Sequence, residues 1–188
     1  KNMYYLEEIL SHFPNAKVIN MVRDQRDVLL SQKNKWKRKF LGASGIPYSE
    51  AIRSFLNYHP FLTSKIWTSS LQHTMKYISN PRVKVIKFED MLVNSHDTIK
   101  DLCDFLDIEF QDKMLLVPVV GSSTEQDSST ELTIDKTKVN KWKSGGVSDA
   151  EIYLSQKISY KMLKEFNYSL KEFHSPPLLV LYYIFIFP

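Results

Sequence analysis

The sequence has 188 residues, 43% hydrophobic and 24% charged, which suits one globular domain with a core of its own. Its formal net charge of +4 is a mild basic excess that favours anionic ligands without naming them. A lone cysteine, Cys103, excludes an internal disulfide, and its apolar spacing in "TIKDLCDFL" reads as packing in a reducing compartment.

In chain order, Tyr5, Leu6, Ile9, Leu10 and Phe13 keep helical spacing until Pro14-Asn15 ends that helix. "KVINMV" (Lys17–Val22) predicts a strand. Asp24 is a candidate N-cap, with Asp27 in the capping-box position, for a helix from Gln25 to about Phe40. "LGASGIP" is a loop, and Tyr48 to Tyr77 is helical with a break near Pro60. "VKVIKF" (Val83–Phe88) predicts a second strand, and Ser95 is the expected cap of a helix with Ile99, Leu102, Cys103 and Leu106 on one face. "GSSTEQDSSTELT" is a polar loop. Ser148 and Glu151 form a capping box, with Val147 stapling onto Ile152, for a helix running to about Phe166. Strand–helix–strand–helix order predicts an α/β domain with a parallel sheet.

In "VINMVRDQRDVLLS" a cation stands where an apolar strand ends. Ligands of open α/β sheets sit beyond the carboxyl ends of the strands. A guanidinium at that place is suited to grip a phosphate bidentately. Asp24, Asp27 and Ser31 fall on one face of the following helix, so the Ser31 hydroxyl points back towards the same place. The competing reading pairs Arg23 with Asp24 or Asp27 as a plain salt bridge.

These residues resemble the sulfotransferase superfamily, whose members use 3′-phosphoadenosine 5′-phosphosulfate (PAPS). "FPNAKVINMVRDQRDVLLS" is similar to the family's 3′-phosphate-binding strand–helix, with Arg23 and Ser31 matching its arginine and serine. "VIKFEDMLVNSHDTIKDLCDFLDIEF" resembles the next strand and helix, with Phe88 where relatives usually carry tyrosine. Ser122 and Ser123 lie where the family often has a nucleotide-contacting serine. "VNKWKSGGVSDAEI" resembles the late segment that folds over the nucleotide, with Lys141, Trp142 and Lys143 in its place. The resemblance implies a parallel-sheet, P-loop-NTPase-like sulfotransferase fold over residues 1–170, with a hydrophobic C-terminal tail over 171–188. It implies PAPS as co-substrate, no metal, and nucleotide contacts from Arg23, Ser31, Phe88, Ser122, Ser123, Lys141, Trp142 and Lys143.

The family's 5′-phosphosulfate loop has no counterpart here, and "GASG" follows a helix instead of a strand. The expectation is therefore a fold incomplete at the N-terminus and inactive by itself, with no catalytic residue assigned, not even Lys1. His12, His59, His73, His96 and His174 are scattered without ligand spacing. "QKNKWKRKF" interleaves cations with an aromatic; it reads as a solvated face or as a contact for an anionic acceptor. The expected acceptor is a hydroxyl or amine whose carrier the sequence leaves open among polysaccharide, lipid and small molecule; nucleic acid is disfavoured. A nucleotide- or polyanion-binding module without catalysis is the alternative, and a nucleotide kinase of similar architecture is a third. Cytoplasmic location is expected, with membrane or self-association through the apolar run Leu178–Phe187 left open. That run is shorter than the roughly 20 residues that span a bilayer.

Overall fold

The computed structural model describes residues 2–123 and 125–185. Its centre is a parallel pair, β1 (Val18–Val22) and β2 (Val83–Lys87), in register from Val18 opposite Val83 to Val22 opposite Lys87. The connection between them carries α2 (Gln25–Lys33), α3 (Tyr48–Leu56) and α4 (Pro60–Met75), preceded by α1 (Leu6–His12). After β2 come α5 (Phe88–Val93) and α6 (Ser95–Leu106), a short antiparallel pair β3 (Pro118–Val119) and β4 (Ser128–Leu132), α7 (Asp149–Glu165), and α8 (Leu179–Phe185). This is the α/β architecture that the strand and helix order predicts.

Two apolar clusters hold it. One joins Val22 of β1 to Leu71 of α4 and to Met162 and Leu163 of α7, with Trp67, Val85 and Phe166 packed around them. The other joins Leu29 and Leu30 of α2 to Trp142, Val147 and Ile152, so the predicted staple between Val147 and Ile152 lies within it. The Ser148–Glu151 capping box forms in full. Glu151 is fully buried, yet its carboxyl sits below the usual range. Burial pushes it up, but Lys33 Nζ at 2.8 Å, the Ser148 N–H and the Tyr58 hydroxyl at 2.6 Å outweigh that. Cys103 is buried, as its spacing predicts.

Three local expectations are corrected. α2 stops at Lys33, not near Phe40; residues Lys35–Phe40 form a 3-10 helix. The Asn34 side chain takes the Leu30 carbonyl, and the tighter turn brings Trp36 edge-on to Phe55 of α3. Asp27 makes no capping box: the Asp24 N–H donates to Glu89 instead. Finally, Ser95 is the first helical residue of α6, behind an Asn94 cap that makes no side-chain bond.

The apolar C-terminal run starts a new helix after Pro176-Pro177. Val180 of α8 is buried and the Tyr183 ring meets His59, while Leu181, Ile184 and Phe185 are exposed. The last two residues of that run, 186 and 187, and residue 188 lie outside the described residues. Among the described residues no helix is long and apolar enough to cross a membrane.

Candidate functional site

The register of the parallel pair builds the site. Val22 opposes Lys87, so Arg23 and Phe88 leave the sheet side by side at its carboxyl end. The Arg23 guanidinium lies over the Phe88 ring, 4.6 Å from its centroid. Its backbone is fixed from behind, where Trp67 Nε1 donates to the Arg23 carbonyl at 3.1 Å. Its Nη2 makes one long bond, 3.4 Å, to the Lys138 carbonyl, and its buried Nε has no partner among the described residues. No carboxylate lies within ion-pair distance of it among those residues, so the salt-bridge reading of Arg23 is not what the structure contains.

The carboxylates go elsewhere. Asp24 caps α2 through the Arg26 N–H and takes the Arg26 side chain in a two-pronged pair, at 2.9 and 2.6 Å. Arg26 is fully buried, donates to Gln156 at 2.9 Å and stacks on Trp142 at 4.1 Å. Asp27 accepts the Trp142 backbone N–H at 2.8 Å. Its second oxygen is buried without a hydrogen bond among the described residues. Burial raises this carboxyl to about 6, against the pull of the Trp142 N–H and the Arg23 charge. Glu89 accepts from the Asp24 N–H and from the Tyr168 hydroxyl, both at 2.8 Å, and clamps the start of α5 to α2 and to the turn after α7.

Arg23, Phe88, Asp27 and Ser31 form one side of a cavity of about 290 Å³. The other side is Val120 to Ser123 together with Lys138 and Lys141. Ser123 donates to Ser31 at 3.4 Å across the cavity. Arg38 shapes that far wall: it forks onto Asp127 at 2.7 and 3.0 Å and donates to the Ser122 carbonyl. The Gly121 N–H also donates to Asp127, whose carboxyl the Arg38 bond holds below its usual range. Gly42 is required here: its φ is +124°, and a Cβ would overlap the Asp127 side chain. Glu125 pairs with Lys141 and, at 3.8 Å, with Lys138.

Of the residues singled out from sequence, Arg23, Ser31, Phe88, Ser122, Ser123 and Lys141 meet in this cavity. Trp142 lies behind it as the buried plate under Arg26. Lys143 is exposed and outside the lining, with its ammonium 5.6 Å from the Trp142 ring centroid. Sequence reasoning missed Lys138 and the acid Glu125, because their part depends on how a long polar loop folds back. Lys1 falls outside the described residues. Among the described residues no group of three or more His, Cys, Asp or Glu side chains could hold a metal ion.

The fold and cavity define an α/β protein whose cationic pocket opens at the carboxyl end of a parallel sheet, where such folds bind their ligands. A family model described as "Sulfotransferase family" matches residues 1–112, more than half of the sequence, and the chain belongs to that family. Among solved structures it is similar to the sulfotransferase domain from the curacin biosynthetic pathway, at 22% identity and a TM-score of 0.57 over 90% of this chain and 59% of that one. It is also similar to the sulfotransferase domain from the Synechococcus PCC 7002 olefin synthase, at 19% identity and a TM-score of 0.52 over 83% of this chain and 50% of that one. Both likenesses are of fold, and this chain spans less than two thirds of either domain's length. No curated protein matches it.

Proposed function

We propose that this cavity binds the 3′-phosphate end of PAPS in a sulfotransferase that moves a sulfuryl group to a hydroxyl or amine. The observation that carries the reading is Arg23: a guanidinium at the end of β1, stacked on Phe88, without a carboxylate partner among the described residues and facing a cavity with two further cations. In this reading Arg23 grips the phosphate, and the Ser31 and Ser123 hydroxyls donate to it. Lys138 and Lys141 exchange Glu125 for the ligand. Phe88 offers an aromatic face to the base. Trp142 acts through Arg26 and Asp27, fixing the segment that carries Lys141.

The role of these residues is positioning. Energy spent on the 3′-phosphate orients the nucleotide and stabilises no charge at sulfur, so it raises affinity without lowering the barrier of the transfer itself. The test is isothermal titration with adenosine 3′,5′-bisphosphate and with adenosine 5′-monophosphate. The bisphosphate should bind more than about tenfold tighter, as expected for one added charge-assisted anchor. Equal affinity for the two would refute the assignment.

A further inference from the structure

The basic, aromatic stretch "QKNKWKRKF" does not act as one charged face. Lys33 is committed to Glu151 and Arg38 to Asp127, both turned inward. On the opposite side, the 3-10 helix Lys35–Phe40 and α3 enclose an open groove of about 330 Å³, lined by Trp36, Phe40, Tyr48, Ala51, Ile52 and Phe55. Every residue of this lining is aromatic or aliphatic, and Phe40, Tyr48 and Phe55 are each more than half exposed. An apolar concavity of this kind is a candidate binding surface.

The geometry points to a second binding site here, for a soluble single-chain amphiphile with an anionic head group. Two features select that ligand. Trp36 meets Phe55 edge-on, at 83° and 5.9 Å, and meets Phe40 at 77°, so ring edges as well as ring faces wall the slot. A wholly apolar slot of this kind suits an alkyl chain. The rim is cationic. Lys37 Nζ stands 5.6 Å from the Trp36 centroid and Lys39 Nζ 4.0 Å from the Tyr48 centroid. Neither ammonium has a carboxylate partner among the described residues, while the nearby Arg53 is already paired with Glu50. Lys39 is held at the lip by donating to the Ile46 carbonyl at 2.6 Å. The concave shape and volume fall in the range of small-molecule pockets, about 300–1,000 Å³, which favours a free chain over a bilayer surface. This inference goes beyond the nucleotide reading and does not rest on it.

The experiment is calorimetric titration of the nucleotide-free protein with laurate below its micelle concentration, with dodecyltrimethylammonium as the cationic control. Laurate should bind saturably at one site, at least about tenfold tighter than the cation. Ile52→Asp, at an exposed position, should abolish binding with the circular dichroism spectrum unchanged. The double variant Lys37→Ala/Lys39→Ala should weaken laurate several-fold. The inference is overturned if laurate fails to bind, if the cation binds equally well, or if Ile52→Asp leaves binding intact. Binding to phosphatidylglycerol vesicles without binding of monomeric laurate would assign the groove to a membrane surface instead. Concentration-dependent dimerisation removed by Ile52→Asp, seen by sedimentation velocity, would assign it to a second copy of the chain. Each of those outcomes also rejects the amphiphile.

Discussion

Replacing Arg23 with alanine tests the site at the residue on which it turns. In the ligand-free protein this guanidinium does little for the fold. Among the described residues it has a single long bond to the Lys138 carbonyl, a contact with Phe88, and an unpartnered Nε. Its removal strands no ion-pair partner, so stability should change by no more than about 1 kcal/mol. Towards a bound phosphate the balance is different. A charge-assisted hydrogen bond contributes about 1.5–3 kcal/mol, and a fork engaging two oxygens does not double that. The loss should therefore be about 2–4 kcal/mol, a rise of roughly 30- to 700-fold in Kd for adenosine 3′,5′-bisphosphate. Affinity for adenosine 5′-monophosphate should barely move, so the preference for a 3′-phosphate should collapse together with affinity. Arg23→Lys, which keeps the charge and loses the fork, should fall between the two. Calorimetric titration with both nucleotides reads all of this directly. An Arg23→Ala protein that retains its full 3′-phosphate preference would show that the guanidinium is structural and the reasoning wrong.

Lys141→Ala should weaken the bisphosphate by about tenfold while Lys143→Ala changes it by less than about twofold, since only the former lines the cavity; equal effects would put the late segment in the wrong place. Glu125→Gln should tighten the same ligand up to roughly fivefold, the worth of a partly exposed pair released from competition; weaker binding would mean that Glu125 supports the site. Asp27 has a folded-state pKa raised from 3.8 to about 6 by burial. The folded state therefore keeps a proton that the unfolded state loses across that interval. The stability it contributes is complete below about pH 4 and falls, by something on the order of 3 kcal/mol, as pH rises to about 6. Urea midpoints from pH 4 to 7 should show that slope in the natural protein and a flatter one in Asp27→Asn; parallel curves would refute it. Arg26→Met should cost about 3–5 kcal/mol in urea unfolding by stranding the buried Asp24 carboxylate, and a loss under about 1 kcal/mol would disprove the role given to that pair.

What the sequence made legible was local. β1 and β2 follow from short apolar runs that end at charged residues, and α7 follows from a capping box written within four consecutive residues, Ser148 to Glu151. The gathering of Arg23, Ser31 and Phe88 was legible too, because a parallel pair fixes what lies at its carboxyl end. What escaped was set by partners distant in the chain. α2 looked continuous to Phe40 because lysines and arginines suit helices, but Trp36 and Phe40 find their apolar partners on α3 and the turn tightens to reach them. Asp27 has the spacing of a capping box, yet the Trp142 N–H claims it from the far end of the chain. Nothing local marks Lys141 as lining and Lys143 as outside, since the short 3-10 helix Lys141–Ser144 decides which lysine faces inward.

The first turn of α2 shows how one short motif separates support from recognition. "RDQRD" contains two arginines and two aspartates, and simple charge matching would pair them all. The helix forbids it. Asp24 at the cap faces back towards Arg26, two residues on, and that pair is driven inward against Trp142 and Gln156. Asp27, one turn later, is tied to the Trp142 backbone. Arg23 precedes the helix, so its side chain departs with the strand and, among the described residues, forms an ion pair with neither acid. The buried pair is expensive to desolvate and earns little net stability, but breaking it is costly, so it fixes the segment carrying Lys141 in one place. An anion site needs such a cation kept free of internal acids, because a guanidinium already paired must surrender its partner before it accepts a ligand. Among the described residues Arg23 has no ion-pair partner to surrender, whereas Lys141 must give up Glu125, and the two substitutions at Arg23 and Glu125 should therefore shift affinity in opposite directions.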